Sequence, residues 1–205
     1  MKRGKFISLE GGEGVGKSTQ AKALGEALGE RGMDCLVTRE PGGSAGAEAI
    51  RALLLDGGAE WTAEAEALLF AAARADHVAK TIVPALAAGR WVLSDRFLDS
   101  SLAYQGGAGG LGADPVRAIN DFGCAGVIPD RTLVLVTEAG AERARVRDSG
   151  KADAIGGRDA EYHASVASAF RQLAKDEAGR VRLVDASGSA DEVTARLLAE
   201  LADML

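Results

Sequence analysis

The sequence predicts an α/β protein, a three-layer α/β/α arrangement around a five-stranded parallel sheet, on three observations. Five short apolar runs, at residues 5–10, 35–38, 90–95, 132–136 and 181–184, alternate with longer stretches of helical spacing. The run at 132–136 has no internal polar residue, the pattern of a strand covered on both faces. Helices between such strands act as right-handed crossovers and pack on both sides of one sheet. At 205 residues, with 47% hydrophobic and 26% charged positions, the chain has the length and balance of one domain spanning 1–205 with its own core, which excludes wholesale disorder and fibrous repeats.

Taken in order, Lys5-Phe6-Ile7-Ser8-Leu9-Glu10 is an apolar strand closed by glycines, and residues 16–31 follow as a helix. The strand at 35–38 is stopped by Pro41, Gly42 and Gly43, which cannot continue a ladder and leave a loop suited to function. Residues 45–55 and 62–88 are rich in alanine and leucine and read as helices, before a strand at 90–95 that ends in the carboxylate Asp95. Gly106 to Gly110 predicts a flexible loop, 115–122 a short helix, 132–136 a strand and 138–147 a helix. A polar, glycine-bearing stretch at 148–157 precedes a helix at 160–178, the last strand at 181–184 and a last helix at 191–205.

Charge and cysteine usage narrow the function. With 24 basic and 30 acidic side chains the net charge is −6, which argues against a protein that coats nucleic acid or an anionic membrane, so any phosphate is bound locally. Cys35 and Cys124 have no CxxC spacing, so they read as free thiols of a reducing compartment. His77 and His163 lie far apart and read as polar helix residues, which leaves oxygen ligands for any metal. The apolar run after Lys2, Arg3 and Lys5 stops at Glu10, too short for a secretory segment, and no run is long enough to span a bilayer. A cytoplasmic protein is expected.

The chemistry begins at Gly11-Gly12-Glu13-Gly14-Val15-Gly16-Lys17-Ser18, followed by Thr19. It fits G-x-x-x-x-G-K-[ST] between a strand and a helix, the context of a phosphate-binding loop. Glycines let backbone N–H groups converge on phosphate oxygens, the helix start adds a positive dipole end, Lys17 adds a charge, and the Ser18 hydroxyl can ligate Mg²⁺. ATPases, GTPases, switches and small-molecule kinases share this loop. No Asn/Thr-Lys-x-Asp guanine-reading segment is present, which counts against a GTPase. Asp95 is placed either as a carboxylate that orients hydrated Mg²⁺ or as a structural strand end, and Arg96 beside it can hold a phosphate bidentately.

Together with Thr38-Arg39-Glu40-Pro41-Gly42-Gly43, Leu69-Phe70-Ala71-Ala72-Ala73-Arg74, Asp95-Arg96-Phe97 and Ser100-Ser101-Leu102-Ala103-Tyr104-Gln105-Gly106, in that order, the chain resembles the bacterial thymidylate kinases nearly end to end. The resemblance implies a P-loop kinase fold with a small lid at about 143–158. It further implies transfer of the ATP γ-phosphoryl to dTMP with Mg²⁺ at Ser18 and Asp95, and a homodimer with no nucleic-acid or membrane partner. Lys17, Asp95, Arg96 and Arg147 become the catalytic candidates, and Gly11 to Thr19 with Arg143 the ATP-binding ones.

For the acceptor, the resemblance puts Phe70 on the thymine ring and Arg74 on its carbonyl edge, one helical turn apart; the alternative is a core Phe beside a solvated Arg. It makes Arg96 and Arg51 clamps for the dTMP phosphate, Ser101 and Gln105 polar contacts near the base, and Tyr104 a wall beside the sugar's 2′ carbon. Glu13, a poor neighbour for phosphates on charge alone, would accept the deoxyribose 3′-OH. Glu40 would lie in a loop that helps place the acceptor and metal, or in a plain turn. If residues 138–147 are helical, Arg143 and Arg147 share a face and Arg145 points away. Many bacterial relatives carry Asp-Arg where this chain has Asp153-Ala154, with Arg147 or Arg158 left to supply the cation. Another nucleoside monophosphate as acceptor, or a P-loop ATPase switch with no small acceptor, are the competing functions.

Overall fold

A computed structural model describes residues 3–55, 59–137 and 158–205. Its sheet has five parallel strands: β1 (Phe6–Gly11), β2 (Cys35–Arg39), β3 (Trp91–Asp95), β4 (Arg131–Val136) and β5 (Val181–Asp185). Their spatial order is β2-β3-β1-β4-β5, so the fully buried β1 is central. The register sets Leu9 beside Asp95 and Gly11 beside Leu135, so the ends of β1 and β3 open on one edge.

Alternation along β1 sorts its side chains between two layers. Ile7 and Leu9 join Leu24 and Leu28 of α1 (Lys17–Glu30), Leu133 and Leu135 of β4, and Val193 and Leu197 of α8 (Ala190–Ala199). Phe6 turns the other way, to Val92, Phe97, Ile82 and Leu86. On that second face Ser8 and Thr132 share a buried hydroxyl contact of 2.9 Å. Thr132 donates onward to Asp99, 2.7 Å away, whose carboxylate also takes two bonds from Arg180, at 2.7 and 2.8 Å. This polar line ties α5 (Leu98–Ser101) to β4 and to the turn entering β5.

The remaining helices are α2 (Ala45–Leu55), α3 (Ala63–His77), α4 (Val83–Ala87), α6 (Ala113–Cys124) and α7 (Ala160–Asp176). The continuous helix expected over 62–88 is interrupted by a wide π turn, Val78–Ile82, where the Val83 N–H bonds the Val78 carbonyl. Pro84 supplies the reason: without an N–H, its ring crowds the carbonyl four residues back, and the wide turn places it in the first turn of α4.

A second π turn, Leu102–Ala108, replaces part of the flexible loop expected at 106–110. Gly106 is buried, and a Cβ there would lie 3.1 Å from the Gly112 carbonyl oxygen. Gly106 therefore serves close backbone approach rather than flexibility. The last helix ends at Ala199 and continues to Leu205 only as hydrogen-bonded turns. The expected helix at 138–147 and polar stretch at 148–157 lie outside the described residues. Cys35 and Cys124 are free, and burial pushes both thiols up to about 11. Among the described residues no helix is long and apolar enough to cross a membrane.

Asp99→Ala should lower the unfolding free energy by about 3 kcal/mol in urea denaturation, the low end for one partner of a buried pair because Arg180 retains Glu177 at 2.7 Å.

Candidate active site

The loop between β1 and α1 depends on left-handed glycines. Gly11, Gly14 and Gly16 have φ of 133°, 71° and 96°, and a Cβ on Gly11 would stand 2.5 Å from the Leu135 carbonyl oxygen. Gly16 caps α1 without a side chain, so the first N–H groups of that helix, with Ser18 and Thr19 exposed, face whatever the loop encloses. Val15 is buried and anchors the loop to the core. Lys17 Nζ donates to the Gly12 carbonyl at 2.6 Å. Burial, then the Arg96 charge, pulls the Lys17 pKa down to about 8, the response of a cation held for a dense anion.

Across the sheet edge the Ser18 hydroxyl donates to Asp95 Oδ2 at 2.6 Å. These are hard oxygen donors beside a phosphate-binding loop, and they fit Mg²⁺, which keeps waters and phosphate oxygens as its other ligands. Among the described residues no cluster of three or more His, Cys, Asp or Glu could hold a metal.

Arg96 follows Asp95 in a left-handed conformation, φ 73°, rare for a residue with a side chain and worth about 1–3 kcal/mol of strain. Its N–H bonds the Leu9 carbonyl and its carbonyl accepts from the Ser94 hydroxyl, which together hold that geometry. The guanidinium reaches Gly11 O at 3.2 Å, Ser100 Oγ at 3.0 Å, Tyr104 Oη at 3.3 Å and Glu13, and lies 5.0 Å from the Tyr104 ring centroid. Tyr104 also donates to Glu13 at 3.1 Å. Burial opposes the Glu13 charge, but Arg96, then Lys17 and the Tyr104 hydroxyl, hold its carboxyl below the ordinary range.

Of the candidate acceptor residues, Phe70 and Arg74 of α3 are both buried, with Arg74 only 2% exposed, which excludes the solvated Arg. Arg74 Nε donates to Glu40 at 2.7 Å, Nη1 to Ser101 at 2.9 Å and Asn120 at 2.6 Å, and Nη2 to the Phe97 carbonyl at 3.0 Å. Glu40 is buried, with one oxygen on Arg74 and the other on His77, so it is joined to the Arg74 cluster rather than standing in a plain turn. Gln105 donates to Glu66 at 2.9 Å, and Arg51 to the Pro41 carbonyl at 2.7 Å. Arg158 pairs with Glu66 and lies 4.6 Å from the Tyr162 ring centroid. Arg143, Arg145, Arg147, Asp153 and Ala154 lie outside the described residues. The structure thus brings Lys17, Ser18, Asp95, Arg96, Glu13 and Tyr104 to one edge, and Arg74 with Ser101 to the neighbouring side of α5.

Sequence reasoning missed Glu10, Glu66, Asn120 and the part played by His77. Glu10 had one available signal, a carboxylate closing an apolar strand just before the glycine loop. Fully buried, it accepts from Phe97 N at 2.8 Å and from the Ser100 hydroxyl at 2.5 Å. Burial, then the Asp99 charge, pushes its pKa up to about 8.

A central glycine loop shaped to hold phosphate, with the Ser18-Asp95 pair suited to a divalent ion beside it on the edge of a five-stranded parallel sheet, is the arrangement of a P-loop kinase. The chain belongs to the thymidylate kinase family, whose sequence profile matches residues 9–197. It is 60% identical to the thymidylate kinase of Rhizorhabdus wittichii, over 98% of this chain and 99% of that one. It is 47% identical to that of a Bradyrhizobium species, strain ORS 278, over 94% and 87%. It superposes on the crystal structure of thymidylate kinase from Ehrlichia chaffeensis with a TM-score of 0.79 and 28% identity, covering 97% and 99% of the two chains.

Glu10 gives a pH prediction. The fold keeps its proton where the unfolded chain has lost it, so this contribution is complete below about pH 4.5 and is lost as pH rises towards about 8. Glu10→Gln, which mimics the neutral acid, should flatten that decline. Urea midpoints should show the variant overtaking the wild type as pH approaches 8.

Proposed function

We propose that this chain transfers the γ-phosphoryl group of ATP to dTMP, giving ADP and dTDP, with Mg²⁺ and as a cytoplasmic homodimer. The observation that carries this is the convergence of Glu13, Arg96 and Tyr104 between the phosphate loop and the Phe70-Arg74 side of α3. An oxygen of the dTMP phosphate attacks the γ-phosphorus in line, and the bond from that phosphorus to the ADP oxygen breaks. No covalent intermediate on the protein is needed, so positioning and charge do the catalysis.

Backbone N–H groups from Gly11 to Thr19 hold the ATP phosphates, and Lys17 Nζ exchanges the Gly12 carbonyl for phosphate oxygen. Ser18 and Asp95 would hold Mg²⁺, which when bound neutralises charge on the phosphate oxygens. Arg96, fixed by Gly11 and Ser100, grips the acceptor phosphate, while Glu13 accepts the sugar 3′-OH and the Tyr104 ring blocks a ribose 2′-OH. Phe70 stacks on the base. Arg74, whose four bonds leave one Nη2 N–H unspent on the described residues, meets the base carbonyl. Ser101 and Gln105 border the same side, and Arg51, bonded to the Pro41 carbonyl, is the second clamp on the acceptor phosphate. The segment at 143–158 is assigned as the lid, with Arg143 on ATP and Arg147 on the transferring group. Arg158, already paired with Glu66, is the weaker substitute for the cation absent at Ala154.

The homodimer rests on three neighbouring helices that leave apolar side chains in water: Leu53 of α2 and Leu68 of α3, each 55% exposed, and Phe122 of α6, 94% exposed.

A coupled assay of ADP release over a panel of monophosphates tests the reaction. ADP should appear with dTMP and barely without an acceptor; equal release in its absence would point to an ATPase switch. In that assay Lys17→Ala should fold normally and lose roughly 10²-fold or more in kcat, since it removes charge from the transferring phosphates rather than packing. Phe122→Asp should convert a dimer to a monomer in light scattering, and an unchanged mass would move the interface elsewhere.

A further inference from the structure

The loop after β2 is tied to the end of α3, the helix that carries Phe70 and Arg74, and to the turn after it by a set of contacts around His77. Ser44 Oγ donates to Asp76 at 2.6 Å, and Thr81 donates to the Gly43 carbonyl at 2.7 Å. Between them His77, at 0% exposure, lies with Nδ1 2.9 Å from Glu40 Oε1 and Nε2 2.9 Å from Thr38 Oγ1. A carboxylate only accepts, so Nδ1 carries the hydrogen of that contact, while Nε2 shares a hydrogen bond with the Thr38 hydroxyl. The fit is close: a Cβ on Gly43, at φ 83°, would meet Nε2 at 2.4 Å.

Glu40 is shared. Its Oε1 takes the His77 bond while its Oε2 takes Arg74 Nε at 2.7 Å, so the ring fixes the carboxylate plane, and that plane fixes the guanidinium. Arg74 has three further partners on α5, α6 and the Phe97 carbonyl. Losing the grip on Glu40 would therefore leave it buried but turned, with its remaining N–H aimed differently. Phe70, Arg74 and His77 also follow one another at helical spacing along one face of α3.

We propose that His77 is a positioning residue for acceptor recognition: by holding Glu40 it aims the Arg74 guanidinium at the base of the monophosphate. The proposal rests on the reading of Arg74 as the group that meets the base carbonyl. A histidine that merely fills the core would alter stability without favouring one substrate over the other.

Two near-isosteric variants separate the two bonds of the ring. His77→Asn presents an N–H close to the Nδ1 position and keeps the hold on Glu40. His77→Gln reaches the Nε2 position, keeps Thr38 and releases Glu40. In the ADP-release assay His77→Gln should raise the KM for dTMP roughly tenfold, with kcat and the KM for ATP within about twofold of wild type. His77→Asn should stay within about threefold for dTMP. Equal changes in both KM values, equal effects of the two variants, or a lowered Tm alone would overturn the proposal. If His77→Gln does not fold, Glu40→Gln must give the same dTMP-specific rise, and no rise there overturns it. A wild-type chain that releases no ADP with dTMP overturns the functional reading itself, whereas a wild-type chain that does so while His77→Gln matches it overturns only the role of His77.

Discussion

Parallel pairing of β1 with β3, Leu9 beside Asp95, is the constraint on which the site depends, because it brings two segments more than eighty residues apart to one edge. On one side of that edge the chain leaves β1 into left-handed glycines and the start of α1. On the other it leaves β3 through Asp95 and the left-handed Arg96. A slip of one residue would turn every β3 side chain to the opposite face and separate Ser18 from Asp95. The β1–β4 register adds the second support, since Gly11 lies against the Leu135 carbonyl where no side chain fits.

An acidic protein that binds two anionic nucleotides must make its site locally cationic, and it does so with few residues. Lys17 and Arg96 face the loop, and Glu13 balances Arg96 beside it. Deeper carboxylates are handled in two ways. Glu40 and Asp99 are each held by an arginine with several bonds, whereas Glu10, with hydroxyl and amide donors and Asp99 nearby, has its pKa raised by burial. Removing one partner of a buried pair costs more than the pair contributes, so these networks specify geometry more than they add stability.

The two wide turns serve the same geometry. The one at Val78–Ile82 lets α3 end on His77 and lets Pro84 start α4. The one at Leu102–Ala108 widens the helix at Tyr104 and Gln105, where π turns commonly sit beside function, and its Gly106 admits the backbone of Gly112.

Much of this was legible in the sequence. Strand and helix order follow from local periodicity, and the loop from Gly11 to Ser18 announces its chemistry because glycine, lysine and serine act there through backbone and near-backbone atoms. Asp95 was legible as a strand end. By contrast, Glu40 on Arg74 and His77, Tyr104 and Arg96 on Glu13, Gln105 on Glu66 and the raised pKa of Glu10 were decided only in three dimensions. Each joins residues distant in the chain, or depends on a desolvation that no local pattern encodes. The sequence by itself determined the order of the strands and of the main helices and which residues can grip a phosphate. Only the tertiary structure decided which charges meet, because strand register and helix packing set those distances and exclude the water that would otherwise screen them.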